Sequence, residues 1–346
     1  MHFTHLANTF FEEEIAGLVN KNLQSTICCA PLALLLQFLP IIYAKKADSL
    51  IVTHQPMQDY IAHMSKYFDG PDIMTLETVR SQQNLNLWAP SQLIEKWAFK
   101  KGHVYDYPAW NLAKQLQSKL FCYHNTKRPL GSSLLHTMQD IDHWKNSVKG
   151  PLLLKKVWGT AGRGHCLIKD DSKWTEFAKK ELMASGVLIG EPFLNRRLDF
   201  STQWMIEKEG SILYLGAVLQ KNTPLGNYRA SIVDDEDKLF GEDKHLFDSH
   251  RSYALDLLKK IRGMGFWGHI GLDAMIVDKD GLIPVVEINL RKTMGYVALM
   301  AQRNHFPHQR VTMSFNEGDI PLLPNQLQLS LSRTQSFKTQ FYLSLS

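Results

Sequence analysis

The stretch "HIGLDAMIVDKDGLIPVVEINLRKTMG", residues 269 to 295, constrains the fold of this chain more than any other. It reads as two apolar strands joined by a turn that holds Lys279, Asp280 and Gly281. A three-residue loop with glycine in the left-handed position is a common hairpin connection. Side chains on a strand alternate between faces with period two. Val285, Glu287, Asn289 and Arg291 therefore share one face, with Val286, Ile288 and Leu290 on the other. Pairing Asp278 with Leu282 across the loop sets Asp273 opposite Glu287. The expected result is two carboxylates on adjacent strands and one face, with Asn289 one step along. Such a hard-oxygen set suits Mg²⁺, which takes one or two carboxylates and keeps phosphate oxygens and water for its other positions. The competing reading is a solvated strand on which Glu287 and Arg291 form an ion pair, because half-exposed antiparallel strands routinely carry polar faces.

A chain of 346 residues has room for about two or three structural units around this hairpin. Its hydrophobic fraction of 44% and charged fraction of 21% are those of an ordinary globular protein. The net charge of +5 is spread along the sequence, and no basic, aromatic-interleaved run resembles a nucleic-acid-binding arm. Cys28, Cys29, Cys122 and Cys166 make neither a C-x-x-C pair nor a metal-ligand spacing, so reduced thiols and a cytoplasmic location are expected. The segment "ICCAPLALLLQFLPIIY" (27 to 43) is broken by Pro31, Gln37 and Pro40, short of the ~20 clean apolar residues of a membrane span. A buried strand or helix is expected there, and no membrane partner.

Along the N-terminal third, "SLIVTH" (49 to 54) reads as a buried strand and "SQLIEKWAFKKG" (91 to 102) as a helix capped by Ser91 and stopped by Gly102. The alternation predicts an open α/β sheet over residues 1 to 115, without a G-x-G-x-x-G dinucleotide turn. From residue 116 the texture changes. A helix over 136 to 150 precedes the strand "PLLLKKVWG", the turn "GTAGRG" (159 to 164), the strand "HCLIKD" and a helix over 171 to 186 with Asp171 or Ser172 at its start. "VLIGEPFL" (187 to 194) is another strand. Residues 191 to 346 are strand-rich, with one helix at about 247 to 263 and a tail after 325 that alternates like an edge strand. In the glycine-rich turn, Gly159, Gly162 and Gly164 would let backbone N–H groups approach phosphate oxygens, with Lys155 and Lys156 on the strand before it. The spacing is not that of a P-loop, and a plain β-turn is the competing reading.

Taken in order, these pieces resemble the ATP-grasp superfamily from about Lys119 to Arg291, with a nucleotide site like that of D-alanine–D-alanine ligase. The resemblance implies an α/β fold in which an N-terminal pre-ATP-grasp domain (1 to 115) precedes two ATP-grasp subdomains (116 to 190 and 191 to 346). Lys119 in "LQSKLF" and Lys155 in "LLLKK" look like the two phosphate-contacting lysines. "LIGEPFL" looks like the hinge: Glu191 would accept from the adenine amino group, and Pro192, Phe193 and Leu194 would line the base. Pro192 has no N–H to offer, which departs from the pattern. Asp199 matches a ribose-side acidic residue loosely. Asp273, Glu287 and Asn289 resemble the metal ligands, for Mg²⁺ or Mn²⁺, and Arg291 a residue that stabilises phosphate or an acylphosphate. Arg229 in "GNYRAS" and Lys221 are further cations that would face the same cleft if not solvated, and His269 a neighbour of the metal set if not a strand histidine.

The implied activity is ATP-dependent ligation of a carboxylate to an amine through an acylphosphate, with an amino acid or peptide as partner and a homodimer compatible with it. Lys155, Arg291 and Arg229 would serve the chemistry. Two rivals are a carboxylate kinase that stops at the phosphorylated product and a nucleotide-binding protein without turnover.

Overall fold

Three sheets arise from three different hydrophobic patterns. The computed structural model describes residues 2–160, 163–169, 172–278, 281–317, 326–329 and 339–346. In the N-terminal part, the short apolar strands β1 (Thr4–Leu6), β2 (Ser49–Val52), β3 (Asp72–Thr75) and β4 (Leu85–Leu87) form a parallel sheet in the order β3-β2-β1-β4. Parallel strands need crossover connections, and β2, buried at Leu50, Ile51 and Val52, reads as a continuous apolar run. The segment 27 to 43 forms short helices, Leu23–Cys29, Pro31–Leu36 and Pro40–Tyr43. Pro31 and Pro40 each stand at a first helical position, where the missing N–H has no intrahelical partner to lose. Among the described residues, no single helix is long and apolar enough to cross a membrane. The Gln92–Lys101 helix carries both expected caps: Ser91 accepts from the Ile94 N–H, and Gly102 is left-handed.

The second sheet is antiparallel, β5 (Ser133–Leu135), β6 (Leu152–Thr160), β7 (Arg163–Ile168) and β8 (Leu188–Pro192), in the order β5-β8-β6-β7. Helices Met138–Ser147 and Lys173–Ser185 bury Ile141, Trp144 and Ala178 against Leu154 and Leu188. Ser172 sits at the start of the second helix without a side-chain cap, and Asp171 lies outside the described residues.

The third sheet has eight strands: β9 (Arg196–Ile206), β10 (Ile212–Asn222), β11 (Tyr228–Val233), β12 (Gly268–Val277), β13 (Gly281–Asn289), β14 (Val311–Glu317), β15 (Gln326–Gln328) and β16 (Thr339–Leu345). Their order is β13-β12-β9-β10-β11-β14-β16-β15. Helix Lys244–Gly263 packs on one face through Ala254, Leu257, Leu258 and Ile261. A helix over Met294–His305, not assigned from the sequence, joins the sheet to the N-terminal part: its Val297, Ala298 and Leu299 share one core with Ile42, Leu50 and Val52. In the tail, β16 lies inside the sheet and β15 at its edge, so the tail as a whole is not one edge strand. The other edge, β13, is covered by the helices Trp110–Gln117 and Lys119–Asn125, where Gln117 accepts from the Leu290 N–H at 2.8 Å and Cys122 Sγ meets the Val286 carbonyl.

In the key hairpin, Asp273 faces Glu287 and Leu272 faces Ile288, as its sequence predicts. Nearer the turn, Val277 faces Gly281 and Met275 faces Ile283, so Asp278 does not pair with Leu282. β13 bulges out between Ile283 and Glu287 to reconcile the two registers, and Pro284 lies in that bulge, where a residue without an N–H disturbs no ladder bond. The bulge also exchanges faces. Val285 is buried with Ile288 and Leu290 in the core beneath the Lys244–Gly263 helix, while Val286 turns to the opposite side beside Glu287. The expectation that Val285 shares the Glu287 face is therefore corrected. Side chains recover the carbonyls freed by the bulge: His250 Nδ1 donates to Pro284 O at 2.7 Å, and Arg128 Nη1 to Val285 O at 3.2 Å.

Candidate active site

A cavity of about 280 Å³ lies where the second and third sheets meet the first N-terminal segments. Pro192, Phe193 and Leu194 form one wall, Lys155 another, and Asp273, Glu287, Asn289 and Arg291 rise from the third sheet. Asp199 also reaches it, held by Arg196 and Asn222 at 2.9 Å each. Residues separated by more than a hundred positions thus converge because three sheets share one junction.

Glu191 is 2% exposed, and both of its oxygens are engaged. Oε1 accepts from Arg128 Nη2 and Oε2 from Lys155 Nζ at 2.5 Å. Burial alone would raise its pKa, but the charges of Lys155 and Arg128 win and hold the carboxyl at about 2. The hinge backbone is equally committed. Phe193 N–H donates to Pro151 O at 2.8 Å, and Pro192 has no N–H. Facing Lys155 across the β6–β7 pair is His165, kept neutral well below its ordinary pKa by burial and then by Lys155 and Lys119.

The Asp273–Glu287 pair carries the opposite strain. Asp273 is pushed up to about 6 by burial and then by the charge of Glu287, against the Ser201 hydroxyl, the charge of Arg291 and the hydrogen bond from Asn289 at 3.0 Å; Gln220 Nε2 also donates to it at 3.1 Å. Two carboxylates facing each other on adjacent strands favour the uptake of either a proton or a metal ion. Asn289 turns its Nδ2 to Asp273 and its Oδ1 to Arg291, so the two carboxylates are the hard oxygen donors that fit Mg²⁺, and Asn289 would join them through Oδ1. Glu287 accepts from Lys119 Nζ, which also donates to Gly159 O at 3.1 Å. Arg291 Nε donates to Glu12 Oε1 at 2.5 Å and Nη2 to Asn289 Oδ1 at 3.2 Å.

Most of the residues singled out in the sequence are brought together here, and some are not. Lys119 lies in a small side pocket with Arg128 and His165 that adjoins the main cavity at Lys155 and Glu191. Gly159 and Gly164 do not line the cavity; Gly164 instead accommodates the Lys156 stem, 2.7 Å from where a Cβ would stand. Gly162 lies outside the described residues. Arg229 is exposed while its neighbour Tyr228 lines the cavity, so the strand aims Arg229 away from it. Lys221 is likewise exposed. His269 packs edge-on against Tyr296 at 4.5 Å, behind the site. Sequence reasoning missed Glu12, Arg128, His165 and Gln220. The run "EEE" at 12 to 14 was a visible signal without an assigned partner; the other three are single residues made meaningful only by long-range packing.

No family model and no curated protein sequence matches the chain. Solved structures do. N5-carboxyaminoimidazole synthetase from Staphylococcus aureus, complexed with ADP, superposes at a TM-score of 0.58 and 14% identity, over 100% of this chain and 94% of that one. Biotin carboxylase from Campylobacter jejuni does so at 0.56 and 11%, over 90% of this chain and 84% of the other. The biotin carboxylase domain of Hydrogenobacter thermophilus 2-oxoglutarate carboxylase, with MgADP and bicarbonate, gives 0.51 and 14%, over 72% and 66%. At these identities the likeness is one of fold.

Proposed function

We propose that this chain, whose fold is that of the ATP-grasp superfamily, is an ATP- and Mg²⁺-dependent ligase that activates a carboxylate as an acylphosphate and passes the acyl group to an amine. The convergence of Lys155, Arg291 and the Asp273–Glu287–Asn289 set in one cavity carries this reading. The solved relatives support the superfamily and not the D-alanine–D-alanine ligase branch in particular.

In this reading a substrate carboxylate oxygen attacks the γ-phosphorus, the bond to the β-phosphate oxygen breaks, and ADP leaves. The amine nitrogen then attacks the acyl carbon, phosphate departs with the C–O electron pair, and the nitrogen gives up a proton. Phosphoryl transfer of this kind needs mainly positioning and charge neutralisation. Asp273, Glu287 and Asn289 would hold Mg²⁺, which neutralises charge on the β- and γ-phosphates when bound. Phe193 and Leu194 line the base, Asp199 takes the ribose side, Lys155 and Lys119 meet phosphate oxygens, and Arg291 steadies the acylphosphate. Lys119 would exchange Glu287 for phosphate as the site fills.

A second reading, in which bicarbonate is the carboxylate, is favoured by the relative crystallised with bicarbonate and MgADP. Phosphate release from ATP separates the readings. Release that requires an organic acid and an amine, such as an amino acid pair, supports ligation; release with bicarbonate alone supports the second. Acylphosphate formation indifferent to amine identifies a kinase. Saturable ATP binding without release under any of these conditions would refute turnover altogether.

A further inference from the structure

Mid-strand in β9, Ser201, Thr202 and Gln203 are buried polar residues in a row, and a buried amide is unfavourable unless its hydrogen bonds are made. Gln203 makes them in one direction. Its Oε1 accepts from Thr293 Oγ1 at 2.7 Å, and its Nε2 donates to Ser201 Oγ at 2.8 Å. The Thr293 oxygen in turn accepts from the Tyr296 N–H at the start of the Met294–His305 helix. Ser201, having accepted from Gln203, keeps its own proton to give, and the residue directly opposite it across the β9–β12 ladder is Asp273, whose pKa the Ser201 hydroxyl lowers.

Two glycines make room for this amide. Gly271 faces Gln203 across the ladder, and a Cβ there would stand 2.6 Å from Thr293 Cγ2 and 3.2 Å from Gln203 Oε1. A Cβ at Gly295 would stand 2.9 Å from Val218 Cγ2 and 3.1 Å from Gln203 Nε2. Asp273 also accepts from Gln220 at Oδ1 and from Asn289 at Oδ2. A carboxylate offers about four lone-pair sites, so these two donors leave two, and the Ser201 hydroxyl would take a third.

We propose that Gln203 is a positioning residue for Asp273: by turning the Ser201 hydroxyl onto that carboxylate, it leaves Asp273 one oxygen lone pair to present to a cation. Asp273 is then a one-oxygen ligand of fixed direction. This rests on Asp273 being a cation ligand, as in the proposed function. Outer-shell partners of metal ligands commonly change metal affinity by roughly 10- to 100-fold when removed.

Mn²⁺ binding to the full chain in the presence of ADP, read by electron paramagnetic resonance, tests it. Gln203→Met and Ser201→Ala should each weaken Mn²⁺ binding by about tenfold or more. The two residues act in series, so the double variant should bind no worse than about twofold below the weaker single one. ADP affinity without metal should stay within about twofold, since neither residue lines the cavity. Folded variants that bind Mn²⁺ as wild type does overturn the inference, as does a double variant whose loss is the product of the two. Ser201→Ala keeps the test open if Gln203→Met fails to fold. Wild type that binds ADP but no Mn²⁺ refutes the ligand reading of Asp273 itself, a separate outcome.

Discussion

Replacing Glu191 by glutamine tests the electrostatic frame of the cavity most sharply. Its carboxyl is held at about 2 against an ordinary 4.5, because Lys155 and Arg128 outweigh burial. At about 1.4 kcal/mol per pH unit, that difference stabilises the folded chain by roughly 3 kcal/mol at neutral pH. Removing one partner of a buried ion pair typically costs about 3–5 kcal/mol, which agrees in size. Glu191→Gln leaves two largely buried cations facing one neutral amide. The sign is fixed by the lowered pKa: the stabilisation is complete above 4.5 and is lost as pH falls through 2. Urea unfolding followed by tryptophan fluorescence should therefore show the variant about 3 kcal/mol less stable at pH 7, and only about 1 kcal/mol less stable at pH 3. A deficit under about 1 kcal/mol at pH 7, or one unchanged at pH 3, would refute the reasoning.

Two further outcomes follow from the metal face. Asp273 is raised to about 6, so protons compete with a cation there: Mn²⁺ affinity should fall by up to about tenfold per pH unit below 6 and level off above about 7. Asp273→Asn should abolish that dependence, and a pH-independent affinity between 5 and 7 in wild type would contradict it. Glu287→Gln should lower Mg²⁺-dependent turnover by about 10²-fold or more while its melting temperature stays within a few degrees, because the side chain is 21% exposed. Near-normal turnover in that variant removes Glu287 from the metal set.

Local chemistry made much of this fold legible. Ser91 and Gly102 frame a helix because a hydroxyl satisfies an orphan N–H and glycine tolerates a left-handed φ, and both effects act within four residues. The Asp273–Glu287 pairing matches the expectation although the turn does not, because the bulge in β13 shifts the register back by Asp273 to the one that pairing Asp278 with Leu282 would have set. Extrapolation of the two-residue strand period failed at Val285, where β13 advances four residues against two on β12; Pro284 was the visible warning. Glu12 and Arg291 stand 279 positions apart and meet only through the junction of sheets, so no window of sequence holds them both. Gln203 reads as a polar residue in an apolar strand until Gly271 and Thr293 are placed beside it. Arg229 shows the converse: a cation next to a cavity residue in sequence points the other way, because neighbours on a strand occupy opposite faces.

The central claim is that one cavity at the junction of the sheets binds MgATP through Lys155 and the Asp273–Glu287–Asn289 set. Calorimetric titration of ATP, with and without Mg²⁺, into wild type and Lys155→Ala tests it most directly. The account predicts saturable binding that tightens with Mg²⁺ and weakens about tenfold or more in the variant, as loss of a charge-assisted phosphate contact implies. Well-folded wild type that takes up no ATP under either condition would contradict it.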